Sequence, residues 1–241
     1  MTLAHSIRKT LRRAGIDARR ANPFTNWELR LPTLLRQHGV KTVLDVGAND
    51  GGYASGLLDG GFGGRIVSFE PLPEAWRALS EKARASASWE VAPPVALSDE
   101  NGETVFHQAG NSVSSSLLVM TEAHSEAAPR SGTVASLRVR TRRLDDVLGE
   151  LDAPRPLFLK LDVQGAEHLV LKGAGDALRT AVVGVQLEMS LARLYEGQMD
   201  AAALDALLRS FGFECWDIIP GFRDPRTLRM LQYDGIYFRS A

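Results

Sequence analysis

The chain has 241 residues, 44% of them hydrophobic and 24% charged, and a formal net charge of −1. This composition suits one large α/β domain, and its balanced charge excludes a general affinity for polyanions, so we expect no nucleic-acid partner. The single cysteine, Cys215, excludes an internal disulfide, and no apolar run is long enough to span a membrane; we therefore expect a cytoplasmic protein with no membrane span.

The first 39 residues predict a basic helical extension followed by a flanking helix. Residues 1–20 contain six lysines and arginines but one acid, Asp17, and Ile7 and Leu11 recur at helical spacing. We favour a solvated helix that packs one apolar stripe on the domain. An acidic partner, a phosphorylated substrate, an anionic membrane surface and a transit peptide are the alternatives. Residues 27–38 predict a helix that flanks or covers a ligand pocket.

A strand, a glycine-rich loop and a helix start are predicted for residues 43–58. The apolar run 43–46 suits a strand that is covered on both faces. Gly47 and the glycines after it lack a Cβ, which would let a ligand approach the main chain closely. The first amides of the following helix attract anions. This order is the first half of a nucleotide-binding unit, although an ordinary strand–turn–helix is the alternative.

The second strand, residues 65–69, ends at Glu70 and Pro71. A carboxylate at this position can accept hydrogen bonds from both hydroxyls of a ribose and disfavours a 2′-phosphate. The loop lacks the G-x-G-x-x-G spacing of dinucleotide sites and the Gly-Lys-Ser/Thr of triphosphate sites. A ligand with a ribose and no pyrophosphate fits better, and S-adenosylmethionine is one.

The middle of the chain predicts the walls of this pocket. Residues 89–98 form a third strand region interrupted by two prolines, and residues 97–99 should lie beside Glu70, where an adenine would rest. The serine-rich residues 111–117 are either a flexible linker or a loop folded over the ligand. Residues 119–133 are predicted to be mobile, and residues 134–141 alternate as in a strand.

Acids end several predicted strands. Asp45 ends the first, Asp162 follows the buried strand 157–161, and Glu188 lies at the end of strand 182–189. In open α/β sheets the ligand lies outside the carboxyl ends of the strands, so we expect these acids to point into one crevice. Lys160, within a buried strand, must reach the strand end or pair with an acid. Two further strands, 213–219 and 232–238, close the chain.

These segments together resemble the FkbM family of S-adenosylmethionine-dependent methyltransferases. The resemblance rests on residues 45–49, 69–71, 96–99, 111, 115–117, 159–167 and 233–235. It implies an α/β fold with a seven-stranded Rossmann-like class I methyltransferase sheet and helices on both faces, over residues 40–241. Gln164 departs from the glutamate of many members, which removes a charge near Asp162.

The resemblance also implies where the cofactor lies. It assigns Gly47 and Asn49 to the methionine part, Glu70 to the ribose and Ser98 with Asp99 to the adenine. Asn111 becomes a further candidate contact in the serine-rich loop. We complete the predicted cofactor-binding set with flanking residues of the same motifs, namely Asp45, Tyr53, Pro71 and Asp162.

Methyl transfer to an alcohol needs an oxygen held in line with the methyl group and a base for its proton. The candidate catalytic residues are Lys160, Asp162 and Glu188, with His168 as a weaker fourth. The alternative for Lys160 is a salt bridge to Glu167 or Glu188. Because adjacent carboxylates repel unless a cation lies between them, Mg²⁺ is an optional cofactor. Its predicted ligands are Asp162, Glu188 and Asp234; otherwise one acid acts alone.

The predicted activity is O-methylation of a hydroxyl of a sugar, glycolipid or natural product, with a small molecule or glycan as acceptor. The alternatives are N- or C-methylation of a small molecule, an NAD-linked oxidoreductase and a non-catalytic nucleotide-binding module. A missing third glycine and the lack of a Tyr-x-x-x-Lys pair disfavour the oxidoreductase. A homodimer is expected only by analogy.

Overall fold

The structure, a computed structural model, describes residues 9–16 and 21–239. Predictions for residues 1–8 and 17–20 lie outside the described residues; residues 9–13 are helical. The later helices are α1 Trp27–Gln37, α2 Gly52–Asp59, α3 Pro73–Ala83, α4 Glu122–Ala127, α5 Leu144–Glu150, α6 Glu167–Gly173, α7 Gly175–Thr180 and α8 Ala201–Ser210. The strands are β1 Thr42–Val46, β2 Arg65–Phe69, β3 Trp89–Val91, β4 Ala96–Leu97, β5 Gly102–Ala109, β6 Thr133–Arg142, β7 Leu157–Leu161, β8 Val182–Ser190, β9 Phe213–Pro220 and β10 Gln232–Arg239.

Seven strands form one mixed sheet in the order β3-β2-β1-β7-β8-β10-β9. The strands β3, β2, β1, β7 and β8 run parallel, and β10 pairs antiparallel with both β8 and β9. The two faces of the sheet carry separate apolar clusters, one around Leu44 and Leu159 and the other around Val43 and Phe158. The predicted seven-stranded α/β sheet of the class I methyltransferases is confirmed.

The third predicted strand region divides between two sheets. Pro93 and Pro94 cannot donate to a strand ladder, so β3 ends at Val91 and the chain leaves the large sheet. The strand β4 then joins a smaller sheet in the order β4-β6-β5, in which β5 and β6 are antiparallel. This second sheet carries the serine-rich loop and places it next to the carboxyl ends of β1, β2 and β7.

Helix α1 packs against the large sheet and does not line the cavity at the carboxyl ends of the strands, which agrees with a flanking helix, one of the two predicted alternatives, and not with a lid. Asn26 caps its first turn by accepting a hydrogen bond from the Glu28 amide at 2.7 Å. Leu31 and Leu35 are fully buried against the face of the sheet that carries Val43. Among the described residues, no helix combines the length and apolar character needed to cross a membrane.

Candidate active site

The first glycine of the loop after β1, Gly47, is required because the protein's own backbone lies against it. Gly47 has a φ of 75°, and a Cβ built on it would lie 1.9 Å from the carbonyl oxygen of Asp162, at the end of β7. No side chain can therefore occupy this position. The sequence predicted that a ligand would approach the main chain at Gly47. The group that lies against Gly47 in the structure is the Asp162 carbonyl, directly after β7.

A cavity opens at the carboxyl ends of β1, β2 and β7. Five of the predicted cofactor-binding residues line it: Gly47, Asn49, Glu70, Pro71 and Asp162. Apolar side chains from the second sheet and its flanks close the other side: Val95, Leu97, Phe106 and Leu117. Its combination of one polar and one apolar wall is typical of small-molecule sites. We refer to it as the first cavity.

Glu70 is buried at the edge of the first cavity. Its Oε2 accepts the Asn49 amide at 2.9 Å and its Oε1 accepts the Leu72 amide at 2.9 Å. A carboxylate offers about four acceptor positions, so roughly two remain for hydroxyl groups in the cavity. Burial raises the pKa of Glu70, and the two backbone hydrogen bonds oppose that rise.

Ser98 and Asp99 do not line the first cavity, and their predicted place beside an adenine stays a prediction. The Asp99 carboxylate pairs with Lys172 at 2.6 Å and accepts the Ser98 hydroxyl at 3.2 Å. Lys172 pulls the side chain of Asp99 towards α6, away from the cavity. The residues immediately before them, at 95–97, line it instead.

Asp45 does not point into the crevice, because successive side chains of a strand face opposite sides of the sheet. Val46 lines the first cavity, whereas Asp45 is fully buried on the other face. The strand register places Asp45 beside Ser68 of β2 and Lys160 of β7, and Lys160 beside Gln186 of β8. We call Ser68, Asp45, Lys160 and Gln186 the buried row.

The partner of Lys160 is Asp45, so the predicted salt bridge to Glu167 or Glu188 is wrong. Lys160 Nζ lies 3.1 Å from Asp45 Oδ1 and 3.7 Å from Asp162 Oδ2. The contact to Oδ1 is close enough for an ion pair but falls outside hydrogen-bond geometry. The other oxygen of Asp45 accepts the Ser68 hydroxyl at 3.0 Å. Burial alone would lower the pKa of Lys160, but the carboxylates of Asp45 and Asp162 outweigh it and raise that pKa.

Tyr53 contacts the buried row and does not line the first cavity. Its hydroxyl donates to Gln186 Oε1 at 2.9 Å, and its ring lies 5.1 Å from Lys160 Nζ. The Gln186 amide in turn donates to Asp234 at 3.1 Å. The contacts that the structure shows for Tyr53 lie with Gln186 and Lys160, and its predicted cofactor contact stays a prediction.

The serine-rich residues 111–117 fold over the first cavity, as one of the two sequence interpretations predicted. The Asn49 side chain donates to Ser112 Oγ at 3.3 Å, and Ser116 Oγ donates to the Gln164 carbonyl at 2.8 Å. His107 and Ser116 exchange two backbone hydrogen bonds. The loop is thus fixed to both sheets and is not a free linker.

A second cavity lies next to the first, and Val113, Asp162 and Gln164 line both. Its remaining lining residues come from distant parts of the chain: Asn111, Ser114, His124, Ala128, Glu188, Phe222 and Gln232. Asn111 therefore lies at the second cavity and not at the first, where the resemblance had placed it. His168, on α6, lines neither cavity.

Gln164 occupies the place predicted for a metal ion. Its Nε2 donates to Asp162 Oδ1 at 2.8 Å and to Glu188 Oε2 at 2.7 Å. Asp234 lies aside, bound by Gln186. Within residues 9–16 and 21–239, no three or more histidine, cysteine, aspartate or glutamate side chains are grouped as a metal ion requires. The side chains of Asp162, Glu188 and Asp234 do not fit a magnesium site, and the predicted Mg²⁺ is unsupported.

The carboxyl groups around the second cavity have strongly perturbed pKa values. Burial, followed by the charges of Asp162 and Glu167, raises the pKa of Glu188 well above its usual range. Burial also raises the pKa of Asp234 to about 6 and that of Glu167 to about 7. Clusters of this kind occur most often at functional sites.

Three side chains of the second cavity region were not singled out individually from the sequence, although the segments that carry them, 111–133, 191–200 and 220–229, were predicted to shape the acceptor pocket. Tyr195 is fully buried and hydrogen-bonds to Gln164 Oε1 at 2.9 Å and to the Ser114 carbonyl at 3.0 Å. His124 lies on α4, in a segment predicted to be mobile, and packs edge-on against Tyr195. Phe222 packs on the other side of His124. No local sequence pattern indicates that these three side chains meet, because only the tertiary fold brings them together.

The family model for the "Methyltransferase FkbM domain" matches residues 45–215. The chain belongs to the FkbM methyltransferase family. As an FkbM methyltransferase it takes its methyl group from S-adenosylmethionine, and the NAD-linked alternative loses its support. The matched range includes the residues that line the first cavity and most of those that line the second.

Three relatives of this FkbM methyltransferase are similar at moderate identity. The 2-O-methyltransferase NoeI of Sinorhizobium fredii is 31% identical over 70% of this chain and 71% of NoeI. The hexuronic acid methyltransferase AglP of Haloferax volcanii is 26% identical over 56% of this chain and 51% of AglP. The AMB antimetabolite synthetase AmbE of Pseudomonas aeruginosa is 33% identical over 71% of this chain, and the match spans 9% of AmbE.

Proposed function

We propose that the protein transfers a methyl group from S-adenosylmethionine to a hydroxyl oxygen of a sugar, glycolipid or natural product. The observation that carries the proposal is the wall shared by the two cavities. Asp162 and Gln164 line both, so a group bound in the second cavity meets the inner end of the first. The names of NoeI and AglP, a 2-O-methyltransferase and a hexuronic acid methyltransferase, support an oxygen acceptor on a sugar.

The first cavity is proposed as the donor site. The free acceptor positions of Glu70 suit the two ribose hydroxyls, and the apolar wall around Leu97 and Phe106 suits an adenine ring. Gly47 lies against the Asp162 carbonyl and Asn49 lies beside Glu70, and we propose that both hold the methionine part. The positive sulfonium is favoured there by the neighbouring carboxylate.

The donor supplies a methyl group on a positively charged sulfur, which an oxygen nucleophile takes by in-line displacement. We propose Asp162 as the base: it lines both cavities and can accept the hydroxyl proton as the new carbon–oxygen bond forms. Glu188, held by the amides of Gln164 and Gln232, binds a neighbouring acceptor hydroxyl. Lys160 acts as a fixed positive charge rather than a base, because its pKa is raised by Asp45 and Asp162 against burial.

A transfer assay with labelled S-adenosylmethionine and a panel of glycosides and hydroxylated natural products tests this proposal. We expect label on an oxygen, located by NMR, and a decrease in kcat of about a hundredfold or more for Asp162→Asn, which removes the base. The exposed Asp152→Asn is the matched control and should retain the parent rate. Label on nitrogen or carbon, or an unchanged rate for Asp162→Asn, would contradict it.

A further inference from the structure

The second cavity is acidic at its inner end. Asp162 and Glu188 line it, and among its described lining residues there is no lysine or arginine. The two carboxyls are joined through the neutral Gln164 amide and not through a cation. An anionic group that entered this end would therefore add negative charge beside Asp162 and Glu188, and charges of the same sign repel at short range.

Three cations of this region, Lys160, Arg226 and Arg130, are paired with acids or lie outside the inner end. Lys160 is buried between Asp45 and Asp162 in the row beneath the site. Arg226, near the opposite side, pairs with Asp224 at 3.3 Å and Glu126 at 3.2 Å. Arg130 lines a neighbouring outer pocket, so it could meet only a distal part of an acceptor.

The same cavity offers several uncharged polar groups and one aromatic surface. His124 is 3% exposed, and its buried Nδ1 has no hydrogen-bond partner among the described residues. The Gln232 amide reaches Glu188 at 3.2 Å, and the Ser114 hydroxyl accepts from Asn111 at 3.0 Å. Phe222 forms part of the wall. Hydroxyl groups satisfy such donors and acceptors, and the C–H groups of a sugar ring suit an aromatic surface.

We infer that the acceptor presents an uncharged sugar ring to the second cavity, with hydroxyls on Asp162, Glu188 and His124, and that a carboxylate on that ring is rejected. The inference rests on the proposed function and specifies its acceptor. Burial and the charges of Asp162 and Glu167 already raise the pKa of Glu188, so further negative charge at this end of the cavity is disfavoured. Rejection of a carboxylate would distinguish this protein from a methyltransferase that acts on uronic acids.

The test is calorimetric binding of matched glycosides to the full chain saturated with S-adenosylhomocysteine. Methyl glucoside, galactoside, mannoside and fucoside are compared with methyl glucuronide and galacturonide. We expect at least one neutral glycoside to bind at least tenfold more tightly than every uronide. Equal or tighter uronide binding overturns the inference, and so does the absence of binding by every neutral glycoside.

Variants separate a specific site from general weak binding. His124→Leu should weaken the neutral glycoside at least fivefold, and Glu188→Gln should reduce the preference over the uronide at least threefold. Glu214→Gln, an exposed acid on the edge strand β9, is the matched control and should change neither. If neither test variant differs from the control, the inference is overturned.

Binding of S-adenosylhomocysteine distinguishes a failure of this inference from a failure of the proposed function. If S-adenosylhomocysteine binds and the uronides bind as well as the neutral sugars, only the acceptor assignment fails. If S-adenosylhomocysteine itself does not bind, the proposed function fails first.

Discussion

The buried row and the inner end of the second cavity contain similar side chains in different electrostatic settings. We call the side chains at that inner end, Asp162, Gln164 and Glu188, the rim. In the row, Asp45 faces Lys160 and Ser68, so its charge is balanced and its oxygens have partners. At the rim, Glu188 is held by the neutral amides of Gln164 and Gln232. The row lies beneath the cavities, whereas the rim lines them.

This contrast separates residues that hold the fold from residues that we propose as carrying the chemistry. A buried ion pair fixes the register of β1 against β7 and leaves no group available to a ligand. Carboxyls that are gathered without a cation cost stability, and they are retained where a site uses them. Two acids that were both predicted to end strands thus differ. Asp45 is fully buried and structural, whereas Asp162 lines both cavities and is available to a ligand.

Loss of the cation from the buried row has the largest expected effect. Lys160→Met leaves Asp45 as an uncompensated buried charge and should lower the free energy of unfolding by about 3–5 kcal/mol. Urea denaturation at pH 7 measures the change. The double variant Asp45→Asn/Lys160→Met should recover part of the loss; a single variant as stable as the parent would show that the row is not a stabilising ion pair.

Glu167 should make stability fall with rising pH. Burial raises its folded pKa from 4.5 to about 7, so the native state holds the proton more tightly than the unfolded chain. The stabilisation is complete below pH 4.5 and is lost as the pH rises to about 7, by about 3 kcal/mol. Glu167→Gln keeps an oxygen for the Val163 and Gly165 amides and should reduce the fall between pH 5 and 8. An unchanged fall in urea unfolding would contradict the assignment.

The smallest expected effect is at Tyr195, which supports the rim from behind. Tyr195→Phe removes the hydroxyl that contacts Gln164 and the Ser114 carbonyl and should lower the free energy of unfolding by about 1 kcal/mol. Thermal denaturation beside Tyr233→Phe, a partly buried tyrosine on β10, gives the comparison. A loss no larger than that of the control would mean that the hydroxyl does not fix Gln164.

The parallel strands could be predicted from sequence because their apolar runs are continuous. The bounds of β2 and β7, Arg65–Phe69 and Leu157–Leu161, coincide with the predicted runs. The partner of Lys160 could not be predicted in the same way, since it depends on which residue of β1 lies beside it. Local pattern determines a strand, but strand register determines its cross-strand contacts.

The residues that line the two cavities also differ in how far a local sequence pattern predicts them. The residues of the first come from short motifs after β1 and β2, so Gly47, Asn49 and Glu70 could be placed in advance. The second is assembled from His124, Gln164, Glu188 and Phe222, which lie in four separate segments. Gln164 was noticed only as a departure from the family pattern, and its bridge between two carboxyls requires the folded chain.

Calorimetric titration of S-adenosylhomocysteine into the wild-type protein and Glu70→Ala tests the central claim most directly. The account predicts saturable binding to the wild type and an affinity lower by about ten- to a hundredfold in the variant, since hydrogen bonds to a charged group contribute about 1.5–3 kcal/mol. Unfolding curves confirm that the variant is folded. Equal affinities, or a wild-type protein that does not bind at millimolar ligand, would contradict the assignment of the first cavity as the donor site.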